Sequence, residues 1–334
     1  MSKGPKGHLR GHMPHFKAGL SALAIGAFLS SAGPASAQVP ESSDPIVIVT
    51  NNWNSQLVLA GIAGRLLSKL GYEVNYQPAH TQLQYPAMGN GDMHLQMEVW
   101  EGTMAAAFES QVARGRMVDA GSHEAITREE WWYPLYVESV CPGLPDWTAL
   151  NDCASHLATE QTGTKGRYLA GPTDWEKPDQ ERASALGLNI QVVNAADAGA
   201  LRSELEAAVQ EKRPIILFNW SPNWVEAEYP GAFIEFPDHD IDCEVEPSWG
   251  SNPDALYDCG NPKKGWLKKG VWSGFEDIWP CGFDLIRNIS FTNAQIAEIA
   301  AKVDVEGLSV DESAEQWLSE NPEVWQAWMP SCAS

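Results

Sequence analysis

The chain has 334 residues, of which 22 are Lys or Arg and 44 are Asp or Glu, for a formal net charge of −22. Such acidity argues against nucleic acid, whose binding needs a basic footprint. It also disfavours anionic solutes over cationic or net-neutral ones, although a saline habitat selects the same bias. Fifteen Trp and six Cys are the other departures from ordinary composition.

Lys3, Lys6, Arg10 and Lys17 precede an apolar, small-residue stretch from Ala18 to Gly33, and Ala35-Ser36-Ala37 supplies an A-x-A cleavage site. Residues 1–37 therefore read as a secretory signal peptide. The stretch is short and rich in Gly and Ser, so a membrane anchor is the weaker reading. Setting the leader's four basic residues aside leaves 18 Lys or Arg against 44 acids, a net of about −26, on about 297 residues. That length suits two lobes of ordinary size.

The mature chain opens with a strand, Ile46 to Thr50, then a helix from Gln56 to Lys69 that Ser55 or Asn54 can cap, ended by Gly71. A strand from Glu73 to Tyr76, a helix from Gln82 to Asn90, a strand from His94 to Trp100 and a helix from Thr103 to Arg114 follow. This β-α-β rhythm predicts a parallel sheet in an α/β fold. Trp131 to Val137 is aromatic and β-prone, but Pro134 restricts it to an edge or irregular strand, taken as the first crossing between lobes.

Beyond it the pattern predicts a strand from Arg167 to Pro172, a helix around Asp179 to Leu186 and a strand at Gln191 to Val193. A helix from Ala198 to Gln210 leads to the strand that delivers Trp220. Asp238 to Gly274 is rich in Pro, Gly, Asn and Asp and predicts a braced irregular loop. Phe283 to Asn288 suggests the return strand, and Asn293 to Val303 and Val310 to Ser319 are amphipathic helices. The division is then 38–138 for the first part of lobe one, 139–279 for lobe two with the acidic loop 238–274, and 280–334 for the return.

Six Cys in an exported chain predict disulfides, with 15 possible connectivities. Cys141 with Cys153 and Cys243 with Cys259 each bracket a short loop, which leaves Cys281 with Cys332 to tie down the tail. No paired Cys/His spacing supports zinc. Asp238, Asp240, Asp242 and Glu244 alternate oxygen ligands and are a candidate for a structural Ca²⁺, without the EF-hand spacing; no cofactor is otherwise required.

Three apolar strands each run into an indole: Trp53, Trp100 and Trp220. Ligands of open α/β sheets bind at strand carboxyl ends. A trimethylated nitrogen has no N–H to donate, and indole faces hold it by cation–π attraction of about 2 kcal/mol or more per desolvated face. Trp132, Tyr133 and Trp175 are candidates to complete such a box, whereas Trp317, Trp325 and Trp328 have the spacing of helix packing.

Trp53 before a helix, Glu98-Val99-Trp100, and Asn219-Trp220-Ser221-Pro222-Asn223-Trp224 together resemble the periplasmic substrate-binding proteins of ABC importers for glycine betaine, choline and related solutes. The resemblance runs from about Pro45 to Met329. It implies a two-lobe type II periplasmic binding protein with mixed sheets flanked by helices, no enzymatic activity, and a monomer that closes over its ligand and delivers it to an inner-membrane permease.

Ser55 stands where choline-type members carry an Asp, which argues against choline. Acids rather than Arg adjoin the box: Glu98, Glu101, Glu129 and Glu130, with Glu98 and Glu130 the expected site members. A carboxyl in a dry aromatic site has a raised pKa and can donate a proton to an oxide oxygen. This suits trimethylamine N-oxide, and the Trp131-Trp132 pair with the long acidic loop resembles the trimethylamine N-oxide branch of that family, which implies this ligand ahead of glycine betaine, choline, carnitine or dimethylsulfoniopropionate. A secreted glycoside hydrolase or carbohydrate-binding module is the reading from another class. The sequence carries no G-x-S-x-G, H-E-x-x-H, phosphate loop or dinucleotide fingerprint.

Overall fold

Strand β1 (Ile46–Thr50), helix α1 (Asn54–Lys69), β2 (Val74–Pro78), α2 (Gln84–Asn90), β3 (Leu95–Trp100) and α3 (Glu101–Ala113) form the first run of the computed structural model. Residues 39–333 are described, together with three isolated positions near the start, so the signal-peptide reading lies outside the described residues. Helix α1 exists because its apolar stripe has somewhere to go: Leu59, Ile62, Ala63, Leu66 and Leu67 are all fully buried.

The chain then extends as β4 (Met117–Pro134), 18 residues long. It continues through β5 (Pro142–Pro145), β6 (Gly166–Ala170), α4 (Asp179–Ala185), β7 (Ile190–Asn194), α5 (Ala198–Glu211), β8 (Ile216–Ser221), α6 (Val225–Glu228) and β9 (Gly231–Phe233). After α7 (Asp242–Val245), β10 (Gly265–Trp272) returns. The C-terminal part is helical: α8 (Phe275–Ile278), α9 (Pro280–Asn288), α10 (Asn293–Asp304), α11 (Val310–Glu320) and α12 (Pro322–Trp328).

The strand order β2-β1-β3-β10-β4-β8-β6-β7, with β9 also on β4, describes two half-sheets that share one long strand. β1 is parallel to β2 and β3, and β6 is parallel to β7 and β8. β10 is antiparallel to both β3 and β4. Along β4 the partner changes from β10, last paired at Thr127, to β8, first paired at Arg128. This is the mixed-sheet, two-lobe α/β architecture that the family resemblance implied, with β10 and β4 adding antiparallel pairs to the parallel sheet that the alternating pattern predicted.

Three local expectations are corrected. Phe283 to Asn288 belongs to helix α9 rather than a strand. Cys281, Gly282, Leu285, Ile286 and Ile289 bury at helical spacing behind a Pro at the first turn, a period that a window starting at Phe283 cuts short. The stretch from Asp238 to Gly274 is not irregular throughout, because its end is β10, the second crossing strand.

The Pro, Gly, Asn and Asp content around it hid that strand, which also carries Lys268-Lys269-Gly270. Lys269 is fully buried, donating to the carbonyls of Arg287 and Ile289 at the end of α9, and burial pushes its ammonium down to about 8. Finally, Trp131 to Pro134 is not an edge: Trp132 pairs with Leu217 on one side and Phe233 on the other. Pro134 is tolerated at the end of β4, two residues past its last pair with β8 at Trp132, while Leu135 N–H continues the bonding to Pro230.

All three expected disulfides, Cys141–Cys153, Cys243–Cys259 and Cys281–Cys332, are formed. The last closes a 51-residue span, so the chain-entropy model assigns it about 4 kcal/mol. We expect Cys332→Ser to lower the unfolding free energy by about that amount, read as a lower urea midpoint; an unchanged midpoint would show that the tail packs without its tether. Trp317 and Trp328 stack at 5.6 Å, and Trp317 also packs on Phe291, so these C-terminal indoles serve packing as their spacing indicated.

Candidate functional site

The carboxyl ends of the two parallel strand groups face each other across β4, and each delivers indoles. Trp53 follows β1 and Trp100 ends β3; each occupies the N-cap of its helix, α1 and α3, with no side-chain cap hydrogen bond. From the other half-sheet, Trp220 lies in β8 and Trp175 in the turn after β6. Trp175 meets Trp53 edge-on at 6.0 Å and 84°, and Trp220 at 5.5 Å and 84°. Phe218 adds a fifth ring, 5.5 Å from Trp175 and 5.9 Å from Trp220.

These five rings wall a cavity of about 290 Å³. Thr81, Thr103, Met104 and Glu129 complete the lining. A larger cavity of about 520 Å³ lies on the far side of the same wall, sharing Trp53, Phe218 and Trp220 with the first.

Glu98 lies behind the indoles and is fully buried. Its Oε2 accepts from Trp53 Nε1 at 2.6 Å, Trp100 Nε1 at 3.0 Å and Ser55 Oγ at 3.2 Å, while Oε1 has no partner. Burial raises its pKa to about 7, against the lowering effect of the three hydrogen bonds. Its geometry is that of a brace that fixes two ring planes.

The strand register separates the next two acids. Glu129 pairs with Trp220 and Glu130 with Asn219, so their side chains leave opposite faces of the sheet. Glu129 accordingly lies on the cavity side. Its Oε1 accepts from Thr103 Oγ and lies 3.8 Å from Lys177 Nζ, and its buried Oε2 has no partner. Glu130 faces away, held by Arg182 at 2.7 Å and by the Asn261 backbone N–H at 2.8 Å. Glu101 Oε2 accepts from the backbone N–H of Trp266.

Of the residues expected to form a box, the structure thus brings together Trp53, Trp100, Trp175 and Trp220. It places Trp132, Tyr133 and Glu130 elsewhere. Trp132 is packed under Gly231, where an added Cβ would fall 1.7 Å from the indole, and Tyr133 donates its hydroxyl to Glu138. Phe218 was missed although it stands two residues before Trp220, the spacing that puts both on one strand face. Thr81 and Met104 carry no sequence signal that would have singled them out.

The acidic loop does not gather its carboxylates. Asp238 pairs with Lys263, Asp240 accepts from the Asp242 backbone N–H, and Glu244 meets His239 at 3.1 Å. Among the described residues no group of three or more His, Cys, Asp or Glu side chains is arranged to hold a metal ion. Among them, too, no helix is long and apolar enough to cross a membrane.

The profile of the family described as "Substrate binding domain of ABC-type glycine betaine transport system" matches residues 44–320. The chain belongs to that family. The trimethylamine N-oxide-binding protein of Pelagibacter ubique (strain HTCC1062) is 38% identical over 313 residues, 92% of this chain and 96% of that protein. Among solved structures, the glycine betaine/L-proline-binding protein ProX of Borrelia burgdorferi superposes with a TM-score of 0.70 at 14% identity, covering 87% of this chain and 98% of that one. A choline-binding protein in complex with choline gives 0.69 at 17% identity, covering 86% and 92%. At such identities the structural matches speak for the fold alone.

As a member of the glycine betaine-type substrate-binding family, the protein is a non-catalytic, extracytoplasmic component of an ABC importer. It binds a small quaternary-ammonium osmolyte in an aromatic cleft and works with a membrane permease.

Proposed function

We propose that the ligand is trimethylamine N-oxide, held with its methyl groups against Trp53, Trp100, Trp175, Trp220 and Phe218 and its oxide toward Glu129. The observation that carries this reading is the unpartnered Oε2 of Glu129, on the strand position opposite Trp220. A carboxyl there attracts the cationic nitrogen when ionised and donates to the oxide when protonated. Among the described residues no Arg lines the cavity, so a carboxylate ligand has no guanidinium to meet there. The name of the 38% identical relative supports the same ligand. Glycine betaine is the second reading, favoured by Lys177, whose buried ammonium lies 5.4 Å from the Phe218 ring.

We draw the lobe boundaries at the pairing switch between Thr127 and Arg128 and at the start of β10, not at residues 138 and 279. Closure then bends β4 and β10 and unites walls supplied by both lobes.

Tryptophan fluorescence titrated with trimethylamine N-oxide, glycine betaine, choline and a neutral sugar tests the ligand. The N-oxide should bind tightest and the sugar not at all. Glu129→Ala removes a charge-assisted hydrogen bond worth about 1.5–3 kcal/mol. It should weaken the N-oxide about 10- to 100-fold and glycine betaine less. Equal losses for both ligands would refute the role given to Glu129, and a preference for glycine betaine would move the assignment to the Lys177 reading.

A further inference from the structure

We propose that Asn52-Trp53-Asn54 is a closure clasp, in which the asparagines flanking a cage indole organise two hydrogen bonds made only when the lobes are shut. This rests on the reading that Trp53 and Trp175 wall the ligand cage. On one side, Asn52 Oδ1 accepts from Trp175 Nε1 at 2.9 Å, across 123 residues of chain. Its Nδ2 meanwhile reaches both Asp174 oxygens at 3.3 and 3.4 Å. One exposed amide thus holds the turn that presents a cage wall from the opposite lobe.

On the other side, Asn54 Nδ2 donates to Asp304 Oδ1 at 2.8 Å. Asp304 Oδ2 then accepts from Trp224 Nε1 at 3.1 Å, and its backbone carbonyl accepts from Arg202. Asp304 ends α10, which packs against α1, whereas Trp224 and Arg202 belong with β8 and α5. The second indole of Trp220-Ser221-Pro222-Asn223-Trp224 is therefore a latch rather than a cage wall.

An indole N–H only donates, so each bond has a fixed direction and needs its acceptor on the facing lobe. Opening exchanges both acceptors for water. A contact present in one state and absent from the other biases the equilibrium toward the first. The clasp should therefore govern how long a ligand stays, not how fast it arrives. Asn52 and Asp304 are in this sense positioning residues.

Stopped-flow fluorescence with trimethylamine N-oxide and glycine betaine tests it. Asn52→Ala and Asp304→Ala should each speed dissociation about fivefold, the effect of one net hydrogen bond, and leave association within about twofold. Trp175→Phe keeps a ring but has no N–H, so in that background Asn52→Ala should cost only its longer Asp174 contacts, clearly less than in the wild type. The proposal is overturned if dissociation is unchanged, or if the Asn52 and Trp175 losses multiply in full. Should neither amine bind the wild type, the ligand reading falls and small-angle scattering of the free protein decides the clasp. The Asn52→Ala/Asp304→Ala variant should then have the larger radius of gyration, and equal radii would overturn the clasp.

Discussion

Glu98→Ala should reduce affinity for the methylated amine more than 100-fold and lower the melting temperature as well. The buried carboxylate is the shared acceptor of Trp53 Nε1, Trp100 Nε1 and Ser55 Oγ. Its removal leaves three buried donors unpaired, at about 1–3 kcal/mol each. It also frees two cage rings to rotate. Glu98→Gln keeps an oxygen for the indoles and removes the charge, so its binding should stay within about tenfold of wild type. If Glu98→Ala binds normally, the rings are held by packing alone.

The same residue gives stability a pH signature. Its pKa rises from 4.5 to about 7 on folding, so the folded state holds the proton more tightly. Below about pH 4.5 both states are protonated and no penalty exists. The penalty grows between pH 4.5 and 7 and is complete above 7, where it amounts to about 3 kcal/mol. Urea midpoints of wild type and Glu98→Gln, compared from pH 5 to 8, should therefore diverge as pH rises, with the wild type losing more. Parallel curves would mean that Glu98 is already ionised at low pH.

Trp220→Ala has the second largest expected effect on binding. One desolvated indole face is worth about 2 kcal/mol, or roughly 30-fold in affinity. The loss should be larger, because Trp220 also partitions the 290 Å³ cavity from the 520 Å³ cavity behind it. Without that wall the two spaces join, water reaches the cage, and the remaining ring faces act in a more polar medium. Trp220 is partly exposed, so the fold should survive. Trp220→Phe should restore most of the affinity. Calorimetry showing wild-type affinity for Trp220→Ala would place the ligand elsewhere.

Much of this was readable in the chain. Apolar strands ending in Trp53, Trp100 and Trp220, the spacing of the six cysteines, and the alternation of strand and amphipathic helix are local patterns. Strand period, helix period and loop bracketing are local consequences of covalent geometry, so they survive without knowledge of the partner segments. Where a local signal was ambiguous, tertiary context decided. β10 was hidden in a stretch rich in Pro, Gly, Asn and Asp, and nothing in sequence announces that the carbonyls of Arg287 and Ile289 will receive the buried Lys269 ammonium within it.

The sequence by itself determined the fold class, the covalent frame and the supply of aromatic and acidic side chains. Only the tertiary structure decided which of them meet. Glu129 and Glu130 are adjacent and identical in kind. The register Glu129↔Trp220 turns one to the cavity and the other to Arg182, and a slip of one residue would exchange them. Trp132 and Trp220 are equally aromatic, but only Trp220 reaches a strand end that faces the other lobe. Such choices depend on contacts between segments about 100 residues apart, whose pairing no short-range pattern encodes.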